Sequence, residues 1–484
     1  MKNLFKPAAC CLLMAAMLAS TACENIEKKK DNKRLLPLLL LGSVTETSWY
    51  TFIGGSGNDY ANSIMQTADG GYIIAGNATK DIASMGGKTP INPYSEGFDM
   101  IVVKLDFRGA VAWHTFLGES SFEFASSVTQ TADGGYIVAG SALGNIPSMG
   151  GKTPVNAYSS DYDMVVVKLD SRGVVVWYTF LGGSGMDQAK SVAQTLDGGC
   201  IVAGYADTNI ASLGGKSPIM AYSSNSDMVV VKLDPSGAVA WYTFLGGSGY
   251  DQACSVAQTK DGGYIVAGYA GANIASMGGA APINAYSSGI DMVVVKLDSS
   301  GAVAWYAFLG GSSDDQAYSV AQTKDGGYIV AGSAYANIAS MGGKAPVRAY
   351  SSGEDMVVVK LDSSGAVAWY TFLGGSDIDR ANSVAQTIDG GYIVAGTANQ
   401  DVITGKNDMS VVKLDSRGSI AWSTLLDGSG ANTASSVAQT GDGGYIVAGS
   451  AYANVASIGG ATPVNAYSSN SDMFVVKLKS NGSL

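Results

Sequence analysis

Residues 241–249 read Trp-Tyr-Thr-Phe-Leu-Gly-Gly-Ser-Gly, and close copies of this stretch recur along the chain. Seven tryptophans mark the copies, which follow one another every 64 residues until a last interval of 53. They are Trp49, Trp113, Trp177, Trp241, Trp305, Trp369 and Trp422. A repeat of this length is typical of propellers, solenoids and arrays. The chain is therefore a sevenfold internal repeat, and the repeat unit decides the fold.

One copy of the repeat contains four β segments and no helical periodicity. Between Trp177 and Trp241 we predict strands at 192–195, 200–205, 227–233 and 238–245. Asp-Gly-Gly at 197–199 and Asp-Pro-Ser-Gly at 234–237 favour tight hairpins between them. The apolar runs do not alternate with polar residues, so both faces of these strands are expected to be buried. A four-stranded antiparallel sheet covered on both faces by copies of itself is a propeller blade.

The two ends of the repeat region are offset in frame. The first copy starts with a strand of the fourth type at 49–53, and the last copy stops after a strand of the third type. Pairing of these two strands would close the ring and remove two exposed sheet edges. We predict an all-β fold, a single seven-bladed β-propeller of four-stranded antiparallel blades at 49–484, closed by the N-terminal strand.

The first 48 residues have the composition of an export signal and a tether. Two lysines are followed by an apolar stretch at 8–19 and by small residues up to Cys23. Leu-Ala-Ser-Thr-Ala-Cys at 18–23 resembles a bacterial lipoprotein signal, in which cleavage before the cysteine precedes attachment of diacylglycerol to its sulfur. The resemblance implies a signal peptide at 1–22, lipid on Cys23 and a tether at 23–48. An ordinary secretory signal with an unmodified cysteine is the alternative.

The repeat resembles the bacterial β-propeller repeat family called SBBP. The segments that carry the resemblance are 241–249, Asp-Gly-Gly-Tyr-Ile-Val-Ala-Gly at 261–268 and Asp-Met-Val-Val-Val-Lys-Leu-Asp at 291–298. The similarity covers nearly all of residues 49–484. It implies extracytoplasmic propellers of mostly unassigned function, and it brings no catalytic residues.

Charge and cysteine content exclude some classes of function. The net charge is −11 and the repeats contain no basic cluster, which argues against a nucleic-acid partner. Cys200 and Cys254 occupy non-equivalent positions in the repeat, so the sequence predicts no disulfide framework and leaves their state open. The single histidine, His114, lies in a predicted buried strand, which disfavours histidine-dependent triads and multi-histidine metal sites.

The long connections of the repeat are predicted to collect on one face of the propeller, here called the loop face. An acidic residue recurs there ten positions after each tryptophan, with Asn432 in the last copy. These acids form a candidate ligand ring: Asp59, Glu123, Asp187, Asp251, Asp315 and Asp379. Ca²⁺ would suit several oxygen ligands. The alternative is that each acid bonds the backbone of its own loop, and we predict no cofactor and no metal site.

A phosphate loop is a false match in this sequence. Gly-Lys-Thr at 151–153 has the right ending, but Ile146 stands where the upstream glycine is needed. Pro154 also disfavours the helix whose N-terminus would hold phosphate. We therefore interpret this segment, and its equivalents in other copies, as loop.

The sixth copy breaks the symmetry. Its connection between the second and third strands shrinks to about 399–407, which predicts a notch between the loops of blades five and seven. Tyr350 and Tyr467 are candidate partner contacts there, because tyrosine offers apolar area and a hydrogen bond together. The alternative is a deletion without functional consequence.

Repetition favours binding over catalysis, because catalysis needs different groups in different roles at one place. The leading hypothesis is a membrane-tethered extracytoplasmic lipoprotein, a monomeric propeller in the cell envelope that is periplasmic or surface-exposed. It would bind or scaffold an unknown protein or glycan through its loop face. The alternative is a carboxylate-based enzyme, for example polysaccharide-active, with Glu119 and Glu123 as acid and base. A quinoprotein-like dehydrogenase is suggested by Lys-Leu-Asp-x-x-Gly-x-x-x-Trp and is the weaker alternative.

Overall fold

The computed structural model describes residues 46–484 apart from 120, 376, 399–407, 427–429, 431, 455–460 and 469. Every regular element in these described ranges is a β-strand. Seven four-stranded antiparallel sheets follow one another in a ring, so the protein is a seven-bladed β-propeller. The predicted fold class is confirmed. The predicted signal peptide, Cys23 and the tether up to residue 45 lie outside the described residues.

The strands of each blade follow the order of the chain, and the seventh blade takes its fourth strand from the N-terminus. They are β1 (Trp49–Ile53), β2 (Asp59–Gln66), β3 (Tyr72–Ala78), β4 (Asp99–Leu105), β5 (Val111–Leu117), β6 (Phe122–Gln130), β7 (Tyr136–Leu143), β8 (Tyr162–Leu169), β9 (Val175–Leu181), β10 (Asp187–Gln194), β11 (Cys200–Ala206), β12 (Asp227–Leu233), β13 (Val239–Leu245), β14 (Asp251–Gln258), β15 (Tyr264–Ala270), β16 (Asp291–Leu297), β17 (Val303–Leu309), β18 (Asp315–Gln322), β19 (Tyr328–Ala334), β20 (Asp355–Leu361), β21 (Val367–Leu373), β22 (Arg380–Gln386), β23 (Tyr392–Ala398), β24 (Asp408–Leu414), β25 (Ile420–Leu426), β26 (Asn432–Gln439), β27 (Tyr445–Ala451) and β28 (Asp472–Leu478).

The predicted strand positions hold in blade three, with one difference. The second, third and fourth strands lie within a residue of their predicted bounds, but the first strand begins at Asp187 rather than at 192. Its start alternates buried Asp187 and Ala189 with half-buried polar residues, so its composition resembled a loop. This strand lies at the centre of the ring, where only part of its surface is covered.

A buried lysine and an aspartate in a turn form an ion pair at one end of each blade. In blade three, Lys232 Nζ lies 2.8 Å from an Asp197 carboxylate oxygen and donates to the Leu233 carbonyl at 2.8 Å. A Cβ on Gly199 would lie 2.1 Å from that carbonyl oxygen, so the turn needs glycine there. The repeated Asp-Gly-Gly and Lys-Leu segments are thus two halves of one structural contact. The lysine that suggested a quinoprotein repeat is used in this contact.

Contacts between neighbouring blades repeat around the ring. Ser191 Oγ accepts the Val256 N–H of the next blade at 3.1 Å, and Ser436 and Ile64 make the same bond across the closing junction. Trp177 Nε1 donates to the Pro235 carbonyl of the next blade at 3.1 Å. Trp49 makes the equivalent bond to Phe107 at 3.3 Å, so these tryptophans lie between blades.

The N-terminal strand closes the ring. β1 pairs antiparallel with β28 from Trp49↔Lys477 to Ile53↔Met473. Phe52 is almost fully buried, and its ring centroid lies 5.1 Å from that of Phe474. The predicted closure is confirmed.

Deleting residues 49–55 should destabilise the propeller and promote self-association. The deletion removes four large buried side chains, each stabilising by about 2 kcal/mol, and it exposes the β28 edge. Thermal melting and size-exclusion chromatography measure both effects. Deletion of residues 28–34, of equal length, is the control. A 49–55 deletion that stays monomeric with an unchanged melting temperature would contradict the closure.

Candidate functional site

The first strand of each blade lines the central channel, because it contacts the first strands of both neighbouring blades. Each of these strands contains a β-bulge. In β10, Ala189 pairs with Gly204 and Ser191 with Ala203, which leaves Lys190 without a paired residue. A Cβ on Gly204 would lie 1.9 Å from the Gln188 carbonyl oxygen, so the bulge requires glycine opposite it. A bulge changes the direction of the side chain at the extra residue. Here it turns the Lys190 side chain away from the strand pairing and toward the central channel.

The copies of the repeat carry different residues at the channel, and they carry the same residues beside the bulge. In every copy the bulge residue lies between an invariant alanine and an invariant serine. The bulge residues themselves are Asn62, Ser126, Lys190, Cys254, Tyr318, Asn382 and Ser435. The residues two positions earlier are Tyr60, Phe124, Gln188, Gln252, Gln316, Arg380 and Thr433. We call these two sets together the channel site.

One side of the channel site holds a cavity of about 470 Å³ across blades one to three. Its lining includes Asn62, Phe124, Gln188 and Lys190. Lys190 Nζ donates to Gln188 Oε1 at 2.9 Å and lies 5.5 Å from the centroid of the Tyr205 ring. Burial lowers the pKa of Lys190. Amides, an aromatic ring and one cation thus surround a polar cavity.

The opposite side of the channel site is a hydrogen-bonded network. Tyr318 donates to Gln316 Oε1 at 2.6 Å. Arg380 forms two bonds of 2.6 and 2.9 Å with the buried Glu354 carboxylate and donates to the Tyr335 hydroxyl at 3.0 Å. Charge and shape therefore differ around a channel whose scaffold is nearly symmetric.

Sequence reasoning missed the channel site. The polar start of the first strand was interpreted as loop, and the candidate ligand ring was chosen from residues that recur in the copies. The available signal was the opposite one, namely a residue that differs among the copies between an invariant alanine and an invariant serine.

The predicted acidic ring lies at the blade junctions. Each acid is buried at the start of a first strand, and Asp187 accepts the Gly183 N–H at 2.6 Å. A second carboxylate lies beside it, because a Cβ on Gly182 would be 2.3 Å from Asp163 Oδ1 and 2.8 Å from Asp187 Oδ2. Six such interblade carboxylate pairs follow around the ring: Asp472/Asp59, Asp99/Glu123, Asp163/Asp187, Asp227/Asp251, Asp291/Asp315 and Asp355/Asp379.

Burial raises the pKa of both acids in the Asp163/Asp187 pair. The pKa of Asp187 rises to about 8 and that of Asp163 to about 6. Charge repulsion from Asp163, Asp207 and Asp161 adds to the effect on Asp187. The sequence located one member of each pair, and only the fold brings the other member to it.

The pair proposed for carboxylate catalysis is only partly accessible. Glu123 is fully buried, and its pKa is raised to about 8 by burial and by repulsion from Asp99. Its Oε2 accepts the Glu119 N–H at 3.3 Å. A polymeric substrate would reach the half-buried Glu119 but not the Glu123 carboxyl in this structure.

Tyr350 and Tyr467 are half-buried and hold their own loops. Tyr350 donates to the Gly353 carbonyl at 2.6 Å, and its ring lies 5.5 Å from Phe372. Tyr467 donates to the Asn470 carbonyl in the same way. The short connection at 399–407 lies outside the described residues. Beside blade six, a cavity of about 240 Å³ has a lining that includes Arg348, Ser423 and Leu425.

Three further sequence positions have structural roles. Met149 and Lys152 exchange backbone hydrogen bonds of 3.0 Å around Gly150 and Gly151, so this segment is a tight turn, not a phosphate loop. His114 is buried with Nε2 3.3 Å from the Ile82 carbonyl oxygen, which is the contact that tyrosine makes in other copies. Cys200 and Cys254 are both free, and burial raises the pKa of each thiol to about 12.

Two kinds of feature are absent from the described residues. They contain no group of three or more His, Cys, Asp or Glu side chains placed to hold a metal ion. They also contain no helix of the length and hydropathy needed to cross a membrane.

Comparisons with known proteins show the fold only. The chain matches no protein-family model and no curated protein. Among solved structures it is similar to YCF48 from Cyanidioschyzon merolae, with 10% identity, a TM-score of 0.41 and coverage of 88% of this chain and 98% of that one. A protein of unknown function from Dyadobacter fermentans has 11% identity, a TM-score of 0.40 and coverage of 75% and 96%. A PL25 ulvan lyase has 12% identity, a TM-score of 0.39 and coverage of 82% and 93%. Similarities this distant carry no functional argument.

Thermal stability in EDTA should fall as pH rises from 5 to 8. A carboxyl whose folded pKa is raised stabilises the fold while it is protonated, and this contribution disappears as pH passes through the folded pKa, about 8 for Asp187. Asp187→Asn, which copies Asn432 of the last blade, should weaken the pH dependence. Glu96→Gln, which changes an exposed acid outside the pairs, should leave it unchanged. A melting temperature that stays level or increases between pH 5 and pH 8 would contradict the raised pKa values.

Proposed function

We propose that this protein is a lipid-anchored, extracytoplasmic binding module that holds its ligand in the channel site. One observation carries the binding role: the copies differ at two residues per blade along the channel, and the bulge residue varies between an invariant alanine and an invariant serine. A purely structural repeat has no need of such a distribution, because the bulge uses the backbone and the opposing glycine. A ring of different side chains on a rigid scaffold is what recognition of one asymmetric ligand requires.

The chemistry of the channel site favours a glycan or a polar peptide. Amide side chains such as Gln188 and Gln252 offer both donors and acceptors, and Tyr60 and Phe124 offer flat apolar surfaces. Lys190 adds positive charge to the channel site, while the charge of Arg380 is offset by its ion pair with Glu354. An anionic sugar polymer or an acidic peptide therefore fits this site better than a neutral apolar molecule.

The cell-envelope location is part of the same proposal. It is supported by the lipoprotein-like signal at 18–23 and by the resemblance of the repeat to SBBP propellers. The polar segment at 24–34 would separate the propeller from the membrane surface. A partner in this location would be a surface glycan or another envelope protein.

Lipid attachment predicts that labelled palmitate enters the full chain in a bacterial host and is absent from Cys23→Ala. The sulfur of Cys23 is the attachment atom, so its removal abolishes the thioether. Cys10→Ala is the matched control and should still incorporate label. Label retained in Cys23→Ala, or missing from the unmodified chain, would disprove lipidation at this residue.

Ligand binding can be tested with a glycan array and a panel of acidic polysaccharides, using the immobilised full chain. Lys190→Ser and Tyr318→Asn replace channel residues by those of other copies, so folding and melting temperature should be preserved. Each should weaken binding about tenfold if its side chain contacts the ligand. Lys152→Ala, an exposed lysine in a turn, is the control for charge.

Two results would count against the channel site. Binding that both channel variants leave unchanged would place the ligand elsewhere on the protein. Turnover of a polysaccharide that survives both variants would favour the enzymatic alternative.

A further inference from the structure

In the Asp163/Asp187 pair, two buried carboxyl groups approach each other with few hydrogen-bond donors around them. Asp163 and Asp187 are both fully buried, and Oδ1 of each accepts no hydrogen bond. The other oxygen of Asp163 accepts the Ser159 N–H at 2.6 Å, and that of Asp187 accepts the Gly183 N–H at 2.6 Å. These neutral donors, with further hydrogen bonds from Ser159 and Ser160 to Asp163, do not balance two buried carboxylates, because a buried charge is strongly unfavourable unless it is neutralised.

The same arrangement recurs in other pairs. In Asp99/Glu123 and in Asp291/Asp315, both acids are buried and each has one oxygen that accepts no hydrogen bond. The charged groups that act on Glu123 and Asp315 are further acids, Glu119 and Asp314, besides the pair partners. At these junctions the described chain supplies more acid and no compensating cation.

The two carboxylates of a pair converge on one glycine. At Gly182 the nearest oxygens of Asp163 and Asp187 lie 2.3 and 2.8 Å from the position of an added Cβ. At Gly310 the corresponding distances to Asp291 and Asp315 are 2.5 and 2.9 Å. Any larger residue would displace an oxygen, so the glycine allows two acids from different blades to approach each other.

The chain itself contains a variant of this arrangement. The sixth copy has the shortened loop, and the junction after it carries Asp427 in place of the glycine and Asn432 in place of the acid. Ser423 and Leu425 also replace the tyrosine and phenylalanine on which the long loop packs in other copies. Asp427 lies outside the described residues. The short loop, the missing glycine and the change from acid to Asn432 occur in the same copy, so these three features vary together.

We propose that the interblade carboxylate pairs bind hard divalent cations of the Ca²⁺ type, at the junctions between neighbouring blades. Two carboxylates match the charge of one such ion, and oxygen is the ligand atom that Ca²⁺ prefers. Backbone carbonyls and water complete the coordination, since Ca²⁺ takes six to eight oxygens. Only two side chains contribute, so the affinity is that of extracellular modules, with Kd about 10⁻⁴–10⁻³ M. Each ion joins two blades and stabilises the ring, whatever the channel site binds.

The test measures Ca²⁺ binding to the EDTA-treated full chain by equilibrium dialysis and its melting temperature at pH 8. We expect several ions per chain, and a melting temperature that rises with CaCl₂ but not with KCl of equal ionic strength. Asp163→Asn should bind one ion fewer than the unmodified chain. Asp161→Asn is the matched control, since Asn225 and Asn470 occupy its position in other copies, and it should bind the full number.

The competing explanation is that protons neutralise the pairs. In that case no Ca²⁺ binds, and the melting temperature responds to pH alone, which would overturn the proposal. A single bound ion per chain would also overturn it, because the pairs repeat around the ring. If Asp163→Asn fails to fold, the number of ions bound by the unmodified chain still decides the question.

Discussion

Each blade of this protein depends on having its two apolar faces covered by its neighbours. Strands such as Asp227–Leu233 are buried along their whole length, so a single blade would expose a hydrophobic surface on each side. Covering both faces of every sheet without leaving a terminal sheet requires a closed ring. The pairing of β1 with β28 completes that ring, and the Ser436 and Gln66 bonds repeat at the closure the contacts found elsewhere. Stability is therefore a property of the ring rather than of the blade.

The same constraint explains where the sequence is free to vary. Residues that pack between blades, or that allow close backbone approach as Gly204 does, are nearly identical in all copies. The bulge is held by the backbone, so its residue can vary, and Asn62 and Asn382 use this position to donate to the Ala125 and Ala434 carbonyls of the next blade at 2.7 and 2.8 Å. Substitutions that cost little folding free energy are therefore possible mainly at positions along the channel. A protein that evolved by copying one blade would acquire an asymmetric binding site most readily there.

The buried acids introduce a second requirement at the blade junctions. Carboxylates from neighbouring blades approach the same glycine, and burial raises their pKa values. The other charged contact of each blade, between Lys232 and Asp197 in blade three, is balanced within the blade. At one end of each blade, the blade's own lysine and aspartate neutralise each other. At the loop-face junction between blades, the carboxylates need a proton or a cation for neutralisation. The stability of the ring is in this way linked to the composition of the surrounding solution.

The sequence by itself determined the number of blades, the order of strands in each blade and the closing strand, because these follow from local patterns repeated at a fixed interval. It also located one acid of each interblade carboxylate pair. It did not reveal the partner acid, since Asp163 and Asp187 belong to different blades and meet only when the blades pack. Nor did it reveal the channel site, because a strand covered on part of its surface has the composition of a loop. The strands and turns within a blade could be predicted from the repeat. Contacts between blades were decided by the tertiary structure, where residues from separate copies come together.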